Sequence, residues 1–247
     1  MTDLSAELNE IERRLQDGVY RPGPWSRFLD TASRRSRAER VAVAQQVSRV
    51  SDKLHQTNHP QTFPFSTGLA LELLATAAGL VLLEAGLKLP SAVVLLGSAL
   101  VLSITFQPLI KLAVGHALGV RYSYFYLWSI KRRSRTLYLE PRFKMQYGTY
   151  LGASRWRRVL LHLSGAVGSP FALWWVAVRA EGISTLASAI CEGLFFFLAS
   201  VELLLFLGGL AGVRRLGPVG LVGLTSPGGA GYELRESVRS YRGHGTP

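Results

Sequence analysis

Four stretches of this 247-residue chain are long and apolar enough to cross a bilayer, and they limit its fold more than any other feature. A helical span takes roughly 20 residues. The stretches cover 66–87, 91–111, 159–178 and 184–213. One such run is compatible with a buried core helix, but four of them in a chain of this length predict a polytopic membrane protein. The fold class that follows is mainly α, with about four transmembrane helices. The fourth stretch is long enough to span with spare length, or with a break near Gly208-Gly209.

The placement of Lys and Arg predicts the orientation. The segment before the first span carries ten basic residues against eight acids, and the loop 115–158 carries ten against one, Glu140. The tail from Arg214 carries five against two. The connection between spans one and two has only Lys88, and that between spans three and four has Arg179 beside Glu181. Basic residues stay on the cytosolic side, so both termini and the central loop are expected there. The expected location is a cytoplasmic (inner) membrane, multi-pass. The N-terminus, M-T-D-L-S-A-E-L, has no apolar core behind it and predicts no cleavable signal peptide. The net charge of +12 then follows from topological bias and attraction to anionic headgroups. A nucleic-acid protein would instead show a basic soluble domain with stacking aromatics. The partners expected are therefore the lipid bilayer and a membrane protein, with no nucleic acid.

Three regions follow: a cytosolic helical region 1–60, a four-span membrane domain 61–213 containing the loop 115–158, and a Gly/Pro-rich basic tail 214–247. Leu4, Leu8, Ile11 and Leu15 recur at helical spacing, and Arg21-Pro22-Gly23-Pro24 ends that helix. A second helix is predicted from about 25 to 54, with Val43, Val47, Val50 and Leu54 on one face. His55 and His59 stand four apart near its end, but Pro60 and Thr57-Asn58 favour a loop and a solvent-exposed pair. Residues 58–64 read as the linker into the membrane. In the central loop, 121–130 (R-Y-S-Y-F-Y-L-W-S-I) and 136–140 (T-L-Y-L-E) are rich in β-forming residues around the basic turn 131–135, and Pro141 closes the second run. They predict a small cytosolic β-hairpin at the membrane face. Arg155-Trp156-Arg157-Arg158 reads as a basic-aromatic anchor before span three. The single Cys191 lies in span four and excludes an intramolecular disulfide.

At the end of span two, 112–119 reads L-A-V-G-H-A-L-G, followed by Val120-Arg121; after the hairpin, 157–173 reads R-R-V-L-L-H-L-S-G-A-V-G-S-P-F-A-L. This order of parts resembles the site-2 protease family of intramembrane zinc metalloproteases over about residues 91–239. The resemblance implies a first core helix with H-E-x-x-H, a membrane-associated sheet, a later helix opening on an R-x-x-x-x-x-x-G-P pattern, and a final D-G motif whose aspartate is the third zinc ligand. His116 matches the second histidine, while Leu112 and Ala113 replace the first ligand and the glutamate base. Gly165 matches the glycine of the later pattern, with Ala166 in place of proline. Ala230-Gly231 stands at the aspartate-glycine position. A catalytic zinc takes about three protein ligands and an open position; leucine offers no lone pair, and alanine cannot activate water. Neither a catalytic residue nor a metal is therefore expected.

Glu72, Glu84, Glu192 and Glu202 are acids within the apolar stretches, where such groups are functional candidates by default. Glu72 and Lys111 fall at the same level and are expected to pair. Glu84 and Glu192 fall near the outer face. Glu202 has His116, His162 or Gln107 as candidate partners, and His116, His162 and Glu202 together would make a two-nitrogen, one-oxygen metal set. Carboxyls hydrogen-bonded between helices are the plainer alternative. Gln107-Pro108 is expected to kink span two. The leading functional expectation is a non-catalytic site-2 protease-like protein that binds a membrane partner as regulator or accessory subunit. The alternatives are a divergent zinc metalloprotease with rebuilt ligands, and a structural subunit of a larger membrane complex.

Overall fold

The computed structural model describes residues 4–20, 23–56, 61–131, 136–212, 230–231 and 234–235. His59, the basic turn 132–135 and nearly all of the tail lie outside the described residues. The fold is mainly helical, with four helices long and apolar enough to span a membrane and a three-stranded sheet.

The N-terminal unit begins with α1 (Leu4–Gln16), whose Leu4, Leu8 and Ile11 are buried as their spacing predicts. The expected single helix over 25–54 is instead three: α2 (Pro24–Arg34), α3 (Arg37–Ala42) and α4 (Ala44–Gln56). The cause is local. Ser36 caps α3 by accepting from the Glu39 N–H at 3.3 Å, and Glu39 accepts from the Ser36 N–H at 2.9 Å. That reciprocal pair fixes a helix start and interrupts the run. The Ser36 hydroxyl, which donates to the Glu39 carboxylate at 2.7 Å, and then the Ser36 N–H hold the exposed carboxyl below its ordinary range. Phe28, Leu29, Ala32, Val47, Val50 and Leu54 complete a core with the α1 stripe. A further short helix, α7 (Tyr147–Gly152), closes this core with Tyr150 and Leu151. Gly148 permits it to lie on α4, since a Cβ there would come within 2.6 Å of the Ala44 carbonyl oxygen.

The sheet has one strand more than expected. The linker contributes β1 (Thr62–Pro64), which pairs antiparallel with β2 (Tyr122–Lys131), and β2 pairs with β3 (Thr136–Met145). Pro64 sits on the edge strand, where its missing N–H costs no ladder bond. Pro141 does not end β3; the register shifts between Tyr126 and Trp128, and the irregular ladder carries the strand on to Met145. His55 lies in the last turn of α4 and is half-buried, against the expected solvent-exposed loop position. Its Nδ1 lies 2.8 Å from the Tyr124 hydroxyl, and its ring packs on Tyr126.

The four long helices are α5 (Phe65–Lys88), α6 (Ala92–Ala117), α8 (Arg155–Ala180) and α9 (Thr185–Ala211). Each is long enough for a hydrocarbon core of about 30 Å at 1.5 Å per residue. Each meets its neighbour through small residues and hydroxyls bonded to carbonyls, as membrane helices do. Ser98 donates to the Gly79 carbonyl at 2.8 Å, Ser169 to Ser103 at 2.6 Å and Ser188 to Ala177 at 3.1 Å. α6 continues through Pro108. α9 continues unbroken through Gly208-Gly209, the first of the two forms expected, and stops at Gly212, whose φ of 74° is left-handed. Leu73, Leu74, Val81, Phe196 and Phe197 point outward. The sheet, the N-terminal unit and the 115–158 loop gather at the end where α5 and α8 begin and α6 ends.

Gly168 marks a close backbone contact between α8 and α6. A Cβ there would come within 2.6 Å of the Gln107 Cα, a backbone atom that cannot swing away, whereas a Cβ at Gly97 meets nothing within 4 Å. Gly168→Ala is expected to destabilise the detergent-solubilised protein by about 1–3 kcal/mol, and Gly97→Ala to leave its stability within about 0.5 kcal/mol of wild type, both read by thermal melts.

Lys144 of β3 is 5% exposed, donates to the Ser51 hydroxyl at 2.5 Å and lies 3.8 Å from Asp52. Burial pulls its ammonium pKa down to about 8 against the opposing pull of Asp52. Between pH 8 and the unfolded value near 10.5 the unfolded chain holds more protons, so stability rises with pH in that window. Burial pushes the Tyr122, Tyr124 and Tyr147 hydroxyls up, so their opposite contribution begins only near pH 10. Wild type is therefore expected to gain about 2 kcal/mol on Lys144→Met between pH 8 and 10, read by near-UV circular dichroism melts. Parallel pH profiles would place the ammonium in water.

Candidate functional site

A cavity of about 670 Å³ lies between α6, α8 and α9 and opens beside β3. Its polar end holds Gln107 and Lys111 from α6, His162 from α8, Glu202 from α9 and the exposed Arg142 from β3. Its apolar walls come from α8 and α9, with Phe171, Trp174, Phe195, Leu203 and Phe206 among them. Trp174 is 46% exposed and Leu203 57%, so these walls run onto the outward face of the helix pair.

Local sequence accounts for this arrangement. Gln107 and Lys111 are one helical turn apart on the face of α6 that meets α8. Lys111 lies along Gly165, where a Cβ would come within 3.2 Å of its Cδ. The missing side chain makes room for the lysine stem. The Lys111 carbonyl accepts from the Tyr122 hydroxyl at 2.8 Å, which fastens the sheet to this turn of α6. His162 Nε2 lies 3.0 Å from the Tyr150 hydroxyl, and the rings meet edge to face. Lys111 and Arg142 each attract Glu202 and repel each other. The formal charges at the polar end are thus two cations against one carboxylate.

Several expectations resolve against this geometry. Glu72 and Lys111 do not pair. One residue of helix is a turn of about 100°, and Lys111 takes the α8 side of α6, while its neighbour Leu112 takes the α5 side. Glu72 is buried on the side of α5 that carries Gly68, Gly79 and Leu83, and its Oε2 has no hydrogen-bond partner. Glu84 instead bonds Arg179 at 3.1 Å, with both side chains exposed, and Glu192 is exposed. Of the possible metal set, His162 and Glu202 share the cavity, but His116 is exposed and lies outside it. Among the described residues no group of three or more His, Cys, Asp or Glu is placed to hold a metal ion. Leu112 is buried against Phe125 and Phe143, and Ala113 is exposed. Ala230 and Gly231 do line the cavity, with Gly231 packed on the Phe206 carbonyl and on Gly209.

Two functional positions escaped the sequence reading. Arg142 follows a proline in a strand and gave no pattern to distinguish it from its basic neighbours. Arg158 had been grouped with the surface anchor, yet it is fully buried and donates to the carbonyls of Leu151 and Ala153 at 3.4 and 3.2 Å. Arg40, from α3, donates to the same Leu151 carbonyl at 3.0 Å. No family model, curated protein or solved structure matches this chain.

Proposed function

We propose that this chain is a non-catalytic integral membrane protein, site-2 protease-like in the order of its parts, that acts by binding a membrane component in the cavity between α6, α8 and α9. One observation carries the reading: the positions of the degenerate motif, Leu112, Ala113 and His116, are all absent from the cavity lining. Leu112 is instead sealed into an apolar cluster with Phe125 and Phe143. Restoring histidine and glutamate at 112 and 113 would place both side chains off the cavity, because the face of α6 that lines it carries 107 and 111. The layout of the resemblance is supported elsewhere, since Gly165-Ala166 and Ala230-Gly231, far apart in sequence, meet around the same space.

The charge at the polar end favours the same reading. A divalent cation is repelled by Lys111 and Arg142, both of which line the cavity. The bias of Lys and Arg supports a cytoplasmic-membrane placement with both termini in the cytosol. Among the described residues, the basic residues of 115–158 lie in or beside β2, β3 and the first turn of α8. The role that follows is regulatory or accessory, with the N-terminal unit available to a membrane protein partner.

Elemental analysis of the purified, detergent-solubilised protein tests the absence of metal chemistry. Wild type and His116→Ala are both expected to lack stoichiometric zinc. Stoichiometric zinc in wild type that disappears in His116→Ala, or in His162→Ala, would establish rebuilt ligands and a metalloprotein.

A further inference from the structure

Two polar oxygens in the seam between α5 and α6 have no partner. Glu72 is 3% exposed and Thr105 4%, and neither the Glu72 Oε2 nor the Thr105 hydroxyl makes a hydrogen bond. Helical spacing and packing put the two side chains on facing sides. On α5, Gly68, Glu72, Gly79 and Gly86 share one face. A Cβ at Gly79 would press on Leu102, and one at Gly86 on Leu95, so this face meets α6. On α6, Ser98, Leu102, Thr105 and Leu112 share the answering face, and the Ser98 hydroxyl reaches the Gly79 carbonyl. The helices run antiparallel, so Glu72, before Gly79, and Thr105, after Leu102, lie on the same side of that contact. Pro108 has no N–H, which leaves the Ile104 carbonyl without its helical donor and adds a main-chain oxygen in the turn of Thr105.

No positive charge answers the carboxyl. No charged side chain among the described residues interacts with Glu72. Lys111 of α6 lies along Gly165 of α8, and Arg179 of α8 bonds Glu84 at the far end of α5. On the sheet side, Gly68 lies on Phe125 of β2, and Tyr122, the titratable side chain of that apolar cluster, donates to the Lys111 carbonyl. A water molecule would hydrogen-bond such oxygens but leave a carboxylate charge bare, and a buried charge without a counter-ion is costly.

We propose that Glu72 and Thr105 form a binding site for one small monovalent cation, a proton or a sodium ion, between α5 and α6. Carboxyl, hydroxyl and carbonyl oxygens are the donors that hold such ions among apolar helices. One carboxylate balances one charge, so a divalent ion would leave a net charge in the seam. The site is on the other side of α6 from the cavity and is independent of what the cavity binds. Occupancy lets the two helices close on Glu72; an empty site leaves a bare carboxylate between them.

The test uses the full-length protein in detergent and reads thermal melts of wild type and Glu72→Gln in sodium chloride or choline chloride at equal ionic strength. The glutamine is neutral and needs no cation, and every other titrating group contributes to both proteins alike. In choline, wild type is expected to lose stability relative to Glu72→Gln as pH rises from about 6 to about 9 and protons are withdrawn. Sodium that stabilises wild type alone identifies the ion as sodium; a loss that sodium leaves in place identifies the proton. Thr105→Val removes one oxygen and is expected to raise about tenfold the cation concentration that gives half the effect. A lost packing contact would lower the melting point in every buffer without moving that concentration. Should Glu72→Gln not fold, the shift in Thr105→Val decides by itself. A difference between wild type and Glu72→Gln that is the same in all buffers, or an unmoved half-point in Thr105→Val, would overturn the proposal.

Discussion

The close approach of α6 and α8 is the contact on which the rest of the four-helix part depends. At Gly168 the two backbones come so near that no side chain fits between them, and the Ser169 hydroxyl reaches the Ser103 carbonyl across the same interface. In a bilayer the hydrophobic effect does not drive helices together, so close van der Waals contact and hydrogen bonds of this kind hold them. The contact also sets the rotation of α6. With Gln107 pressed on Gly168 and Lys111 on Gly165, residues 112 and 116 turn away from α8. The chemistry available in the cavity is settled by that rotation.

Much of this architecture was legible in the chain. The four long apolar helices stood out because length and apolarity suffice to recognise them, whatever they pack against. The two long strands showed through their aromatic and β-branched content. The third strand did not, because Thr62–Pro64 is too short for any alternation and pairs with a segment some sixty residues away. The break before α3 had its signal in Ser36 and Glu39, three apart, but the apolar stripe running past it reads equally well as one helix. Rotation about a helix axis was the part least open to reading. In α5, α6 and α9, apolar residues cover every face, so nothing in the sequence says which neighbour Lys111 or Glu72 will meet. The pairing expected from their common depth failed for that reason.

The resemblance that organised the sequence reading has a specific fate in three dimensions. Gly165-Ala166 and Ala230-Gly231 do come together, as the order of parts implies. The histidine-bearing turn does not join them. His116 faces away from both segments, and Leu112 beside it is packed with Phe125 and Phe143. The cavity begins one turn earlier in α6, at Gln107 and Lys111, and sets Lys111 and Arg142 near Glu202.

The Leu151 carbonyl receives an arginine from each side, Arg40 from the N-terminal unit and Arg158 from the first turn of α8. Its neighbour Tyr150 holds His162 in the cavity. Two neighbouring residues, Tyr150 and Leu151, thus link α3, the first turn of α8 and the cavity, so a shift of any one of these bears on the same short segment.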